Sequence, residues 1–223
     1  MESVARGGTR WKRFALVMVP SVAATAAIGI GLAQGALAAS FAVSGQEFKV
    51  TAGYLDGHGF AQYGGVDMGY KDLKGDEKVA HPVAVSTFKN ATIKDMCQSV
   101  VTDVPFVGKI TLQLKAGEGK KEVQASNLYL DVSELEGDAK FTNIDIGVAA
   151  KDTDNPAGGP GPAGKGPAVK DTSILPNGFA QQADRAELTG VKQKAWATTA
   201  GTFSLGGLKM KLLKGDGPKA ECY

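Results

Sequence analysis

The sequence has few of the side chains that enzymes use most often. Its 223 residues include only two histidines and two cysteines. No CxxC pair is present, so neither a dithiol redox centre nor a cysteine zinc site is expected. The nearest segment to a G-x-S-x-G nucleophile elbow surrounds Ser204 and has the wrong spacing. No phosphate-binding loop occurs either. The sequence therefore predicts no catalytic residues, no metal site and no cofactor.

Beyond the N-terminus the chain also lacks an excess of positive or negative charge. The formal net charge is +2, but residues 1–39 carry four basic residues and one acidic residue, which leaves the rest of the chain at −1. Nucleic-acid binding usually requires a basic surface, so no nucleic-acid partner is expected. Arg185 is the one arginine after residue 39. The planar forks that favour phosphate binding are therefore missing.

Long amphipathic helices are missing from Ser40 onward, and alternation of apolar and polar residues takes their place. In "VGKITLQLKAG", Ile110, Leu112 and Leu114 share one face. "EVQASNLYLDV" alternates in the same way after the turn-like segment "AGEGKK", which predicts a β-hairpin. "SELEGDAK" predicts a turn around Gly137, and "FTNIDIGVAA" predicts another strand. "FAQQADRAEL" is ambiguous between a strand and a short helix.

The alternation changes parity within several strands, often beside a glycine. Such a change adds one residue to a strand, as a β-bulge does, and bends the sheet. The expected fold is all-β, with a curved or rolled antiparallel sheet of sandwich or barrel type. "FAVSGQEFKV" and "FSLGGLKMKL" both change parity near a glycine. Either the first and last strands have equivalent roles as neighbours in the sheet, or the similarity of the two segments is a coincidence of their Gly-rich, strand-forming composition.

The N-terminus has the features of an export leader. A basic stretch precedes the apolar run 14–33, and "ALA" at 36–38 provides small residues for cleavage. A retained membrane anchor is the alternative, because the run is nearly long enough to span a bilayer. We therefore expect an apolar helix within a leader or anchor at 1–39, and one β-rich domain at 40–223. The Gly/Pro-rich segment 154–170 predicts a long exposed loop in that domain.

The two cysteines, Cys97 and Cys222, are expected to pair. Exported chains with an even number of cysteines usually form disulfides. A bridge between them would join the C-terminus to the middle of the fold. A catalytic thiol or a metal site is the weaker alternative, because only two histidines could assist.

Polar residues gather in the Gly-rich segment that includes "LDGHGFAQYGG". Asp56, His58 and Asp67 form a weak candidate polar site, with His58 as the base. The competing interpretation is that His58 is an exposed loop residue and that the carboxylates are solvated turn residues. The carboxylates also lack the twelve-residue loop of a calcium site. His81, before a proline, is expected to have no partner.

Several large apolar residues are candidates for an inner face that contacts a lipid or another chain. The alternative is that they form the core. The residues are Phe41, Phe48, Phe60, Phe106, Leu128, Leu130, Phe141 and Ile144.

The segments "GFAQYGGVDM", "MCQSV", "NLYLDVSELEGDAKFTNIDIG" and the terminal "ECY" resemble an uncharacterised family of exported actinobacterial proteins. Its members often carry the automatic label "cholesterol esterase". The resemblance implies an envelope location and supplies no functional residue. We therefore expect an exported, non-catalytic envelope or surface protein that binds a lipid, a glycan or a protein partner. The alternatives are a secreted esterase and a membrane-anchored subunit of an envelope complex.

Overall fold

A computed structural model of the chain describes residues 42–73, 75–154, 163–169 and 174–223. These residues form an all-β fold with one short 3₁₀ turn at Ala150–Asp152, which confirms the predicted fold class. The predicted leader and its apolar helix lie outside the described residues. No helix among the described residues is long and apolar enough to cross a membrane. The strands are β1 (Ala42–Val43), β2 (Phe48–Tyr70), β3 (Lys78–Lys94), β4 (Met96–Val104), β5 (Gly108–Ala116), β6 (Val123–Ala149), β7 (Phe179–Thr199), β8 (Thr202–Leu205) and β9 (Lys209–Lys214).

Four long strands close into an antiparallel barrel. β2 pairs with β3 along one edge and with β7 along the other, and β6 lies between β3 and β7. Tyr63 pairs with Val85, and Val85 pairs with Asp131. Asp131 then pairs with Ala197 on β7, whereas Tyr63 itself pairs with Ala180 on that strand. Following these pairs once around the barrel therefore leads to Ala197 and not to Ala180, 17 residues away on β7. Such an offset means that the strands are steeply tilted around the barrel.

Three strands extend the sheet beyond the closed ring. β4 continues the run of β3 after Asp95, which has a positive φ of 51°. β4 pairs with β5, and β5 pairs with β9. β8 pairs with the start of β6, and β1 pairs in parallel with the end of β2. We call the β4–β5–β9 part of the sheet the extension.

The predicted hairpin is wrong in its pairing, although both of its strands exist. β5 pairs with β4 and β9, whereas β6 pairs with β3, β7 and β8. β5 is antiparallel to β4 and β6 is antiparallel to β3, so β5 and β6 run in the same direction. The segment between them therefore shifts the chain sideways and does not reverse it. The N–H of Asp95 donates to the carbonyl of Gly117 (3.0 Å), and the N–H of Gly117 donates to that of Gly206 (2.8 Å). These hydrogen bonds connect the breaks between three pairs of consecutive strands: Asp95 lies between β3 and β4, Gly117 between β5 and β6, and Gly206 between β8 and β9.

Two further local predictions differ from the structure. No turn occurs at Gly137, because β6 continues through it with register shifts on either side. "FAQQADRAEL" lies in β7, where pairing on both edges overrides its helical tendency. Both echoed segments are divided near their glycines, the first between β1 and the start of the 23-residue β2 and the second between β8 and β9. β1 and β9 pair with different strands, so the first and last strands are not neighbours.

The barrel interior is apolar and closely packed. Phe60 lies between the rings of Phe88 and Phe141, with ring centroids 5.4 and 5.2 Å away. Small residues such as Ala183 and Ala186, both fully buried, allow β7 to approach these aromatic rings. Phe60, Leu128 and Leu130 are thus core residues.

A second apolar cluster lies on the outer face of the barrel, beneath the segment that joins β6 to β7. It contains Tyr63, Val83, Val85, Ala150, Ile174 and Ala180. The Gly/Pro-rich loop lies against this face in its described part. Gly166 and Pro167 are buried, and the N–H of Gly166 donates to the carbonyl of Thr153 (2.8 Å). The prediction of an exposed loop is therefore wrong for these residues.

A disulfide between Cys97 and Cys222 fastens the C-terminal segment to the extension, as predicted. The N–H of Cys222 donates to Oγ of Ser99 (3.1 Å). Nε2 of Gln113 donates to the carbonyl of Ala220 (3.0 Å). Cys97 and Ser99 alternate along β4 with Met96, which belongs to the interior cluster, so the C-terminal segment covers the outer face of the extension.

Candidate functional site: an apolar barrel mouth

The predicted polar site is only partly assembled. Nε2 of His58 lies 3.6 Å from Oδ1 of Asp56, and the His58 side chain is more than half exposed. Asp67 lies further along β2, opposite His81 on β3. The structure therefore brings Asp56 and His58 together and leaves Asp67 elsewhere.

Asp56 has a stronger partner than His58. Nε and Nη2 of Arg185 donate to its two carboxylate oxygens at 2.7 and 2.8 Å. This bidentate pair holds the pKa of Asp56 below its ordinary value. Arg185 also contacts Glu187 (3.2 Å), which accepts a hydrogen bond from the hydroxyl of Tyr54 (2.8 Å). The group is a cross-strand ion-pair network between β2 and β7, whose geometry the sequence pattern did not reveal.

Ser204, the serine that the sequence comparison with an elbow motif singled out, does not stand beside this network. Ser204 on β8 pairs with Gln124, Gln124 pairs with Thr92, and Thr92 pairs with Asp56. Three strand spacings separate Ser204 from Asp56, about 14 Å between Cα atoms. Side chains so placed cannot share a proton directly. Within the described ranges, no three His, Cys, Asp or Glu side chains are grouped so that they could hold a metal ion.

His81 has a partner that the sequence did not predict. Its ring stacks on the indole of Trp196, with centroids 3.7 Å apart. Nε2 of His81 is buried and has no hydrogen-bond partner among the described residues. The contact belongs to the outer apolar cluster, so we assign His81 to packing.

The most distinctive surface begins at the mouth of the barrel, where the extension leaves it. One row of directly opposed residues crosses six strands, and such residues share a face of the sheet. In order from β9 to β6, the row is Met210, Leu114, Gln98, Val50, Gln193 and Leu135. Four apolar residues and two amides thus form a continuous strip that no single segment of the sequence contains.

A cavity of 40 Å³ opens at the centre of this strip. The lining residues come from the four barrel strands and from β4 and β8, and none of them is charged. The lining residues are Val50, Ala52, Leu55, Ile93, Met96, Gln98, Leu128, Leu130, Val191, Gln193, Thr198 and Phe203. The cavity can admit the end of a hydrocarbon chain, but it is far smaller than a site that encloses a whole ligand.

The apolar surface continues from the cavity along the inner face of the extension. Leu112 is opposite Val100 on one side and Leu212 on the other. Met210 is 66% exposed and Leu212 is 73% exposed, although both belong to a paired strand. The outer face of the same three strands carries the C-terminal segment. Among the described residues, the extension is therefore covered on its polar side and open on its apolar side.

The sequence predicted this surface only in part. Leu128 and Leu130, two of the candidates for an inner apolar face, line the cavity. Phe106 and Ile144 are exposed elsewhere, and Phe41 lies outside the described residues. The residues that define the strip, Gln193 above all, were missed. The alternation of apolar and polar residues was the one available signal. It shows which residues of a strand share a face of the sheet, but it does not show which strands are neighbours.

Comparison with known proteins identifies a family and gives no function. Residues 44–223 match the family described as "Family of unknown function (DUF6230)". The chain matches no curated protein and no solved structure. Because the match covers most of its length, the chain belongs to DUF6230, a family of unknown function.

Proposed function

We propose that this chain is an exported, non-catalytic envelope protein that binds the hydrocarbon part of a lipid at its barrel mouth. The observation that carries the proposal is the open apolar face of the extension, which is continuous with the cavity. The disulfide agrees with it, because such bonds persist in oxidising, extracytoplasmic environments. A retained anchor would keep the same surface outside the cell.

Burial provides the driving force for such binding. Removing apolar surface from water contributes about 25 cal/mol per Å², so covering an exposed Leu or Met contributes on the order of 1 kcal/mol. Met210, Leu212 and the strip around Val50 are the apolar residues that a bound chain would cover. The hydrocarbon chain would lie along the extension, with one end of the ligand at the cavity.

The test uses variants at exposed positions, which leave the core unchanged. The double variant Met210→Gln/Leu212→Gln should bind the uncharged hydrocarbon fluorophore diphenylhexatriene at least about tenfold more weakly than the wild type. The matched control is Ile146→Gln, because Ile146 is also 66% exposed but lies on β6. Equal affinity in the wild type and the double variant, or an equal loss in the control, would contradict the proposal.

The esterase alternative needs a second experiment, in which the purified protein is incubated with an ester in place of the fluorophore. If the purified protein hydrolyses a bound ester, the product accumulates with time and the role is not a purely binding one. Turnover that disappears in Ser204→Ala or His58→Ala would favour the esterase. An intact ester recovered after prolonged incubation is the result that we expect.

A further inference from the structure

Gln193 is an unusual polar residue within the apolar strip. The residue is only 6% exposed, and no described residue forms a hydrogen bond with its amide. Gln182, which is fully buried, shows the ordinary arrangement. Its Nε2 donates to Asp145 (3.1 Å) and to the carbonyl of Ala163 (3.2 Å), and its Oε1 accepts from the N–H of Lys165 (3.0 Å). The amide of Gln193 keeps a small solvent-accessible surface and lines the cavity, so it is available to bond to a ligand there.

Gln98 repeats the arrangement on the other side of Val50. Gln98 and Gln193 are the residues opposite Val50 on β4 and β7, and all three line the cavity. Neither amide has a hydrogen-bond partner within the described part of the chain. Two strand spacings separate their backbones, about 10 Å. A group bound over Val50 would therefore have one amide on each side of it.

We infer that Gln98 and Gln193 recognise an uncharged hydrogen-bonding group of the ligand, such as a hydroxyl or the carbonyl of an ester or amide. The inference rests on the proposed function and adds the class of head group. An amide side chain both donates and accepts, so it can serve a hydroxyl and a carbonyl equally. Thr198, also in the lining, supplies a third neutral polar group.

The lack of charge in the cavity lining favours a neutral group over an anion. A carboxylate or phosphate placed there would lose its hydration without gaining a cation, and burying an unpaired charge is expensive. A neutral carbonyl or hydroxyl loses less on leaving water, and the amides replace the lost hydrogen bonds. The site therefore fits a neutral amphiphile better than a free fatty acid anion.

The test compares four ligands with one chain length: dodecane, dodecanol, methyl dodecanoate and dodecanoate. Each competes with diphenylhexatriene for the wild type and for Gln193→Met, which keeps the length of the side chain and removes its hydrogen bonds. The wild type should bind dodecanol and the methyl ester more tightly than dodecane or dodecanoate. In Gln193→Met the affinity for the alcohol and the ester should fall about tenfold, with dodecane unchanged.

Two controls separate recognition from structure. Gln181→Met removes an amide that bonds to Gln62 at 2.7 Å and should leave all four affinities unchanged. Gln193→Met should leave the melting temperature at or above that of the wild type, because the amide that it removes has no bond to a described residue. Gln182→Met, which removes three hydrogen bonds, should lower it. An equal loss for dodecane, a lower melting temperature in Gln193→Met, or no preference in the wild type would overturn the inference.

Failure of the proposed function would look different. In that case diphenylhexatriene would not bind, or Met210→Gln/Leu212→Gln would bind it as well as the wild type. If only the inference is wrong, the fluorophore and dodecane still bind and still respond to that double variant.

Discussion

Gly57 lies directly against the ring of Phe88: a β carbon built on Gly57 would lie 2.2 Å from Cδ1 of that ring. Phe88 is almost fully buried and packs against Phe60 in the centre of the barrel. The aromatic core therefore depends on a strand residue without a side chain.

Gly57→Ala should destabilise the protein by about 1–3 kcal/mol, because the ring must move within a packed core. Gly64→Ala is the matched control on the same strand, since no atom lies within 4 Å of its added β carbon. Urea denaturation followed by far-UV circular dichroism measures both. Similar losses in the two variants would show that strand geometry, and not the contact with Phe88, explains the effect.

Loss of the disulfide should destabilise the fold and release its C-terminus. Cys97 and Cys222 are 125 residues apart, and the chain-entropy model gives about 4–5 kcal/mol for a loop of that length. Denaturation of Cys97→Ala/Cys222→Ala should show a loss of this order, and hydrogen exchange should accelerate at 217–223. A reductant should have no effect on this variant, which is its control. Unchanged exchange at 217–223 would show that hydrogen bonds alone hold the segment.

The ion pair between Asp56 and Arg185 should make stability depend on pH in acid. The folded-state pKa of Asp56 lies below its unfolded value of about 3.9, so its contribution is fully present above that value. The contribution is lost as the pH falls from about 4 through the folded pKa. Asp56→Asn should therefore be less stable than the wild type at neutral pH, and the difference should shrink in acid.

Thermal melts of both proteins between pH 2 and 7 measure that convergence. Asp138→Asn serves as the control, since Asp138 is an exposed strand residue without an ion pair among the described residues. A difference for Asp56→Asn that stays constant down to pH 2 would contradict the assignment.

Phe106 stores backbone strain in the turn between β4 and β5. Its φ is 67°, in the left-handed region, and its side chain is fully exposed. Phe106→Gly should therefore stabilise the protein by about 0.5–1 kcal/mol, because glycine adopts this conformation without a steric penalty. Asn127→Gly, at a φ of 45°, should gain less, because asparagine tolerates the left-handed region. A loss of stability in Phe106→Gly would show that its ring has contacts that outweigh the strain.

Local physics explains what the sequence could predict. Alternation identifies strands because successive side chains point to opposite faces, and Ile110, Leu112 and Leu114 do so. The disulfide was predictable because the chain has only two cysteines, which leaves one pairing. The hairpin prediction failed because a glycine-rich segment can form a hairpin turn, but it can also shift the chain sideways without reversing its direction. The hydrogen bonds of Gly117 to Asp95 and Gly206 decide between them, and both partners are distant in sequence.

The candidate site was less predictable than the fold. Gln193 is opposite Val50 and Leu135, so its surroundings come from β2 and β6. Nothing next to it in sequence marks it as the polar centre of an apolar strip. Arg185 was visible as a lone arginine, but its pairing with Asp56 depends on the register between β2 and β7.

Closure of the barrel has a kinetic consequence. β2 is among the first strands to emerge during synthesis or translocation, and one of its two long edges stays open until β7 arrives. The second thiol of the disulfide, that of Cys222, comes later still. Closure of the barrel must therefore wait for β7, and such distant pairings make folding slow, on the order of milliseconds to seconds. Until then the nascent polypeptide exposes an aggregation-prone edge, so a holding chaperone would protect its yield.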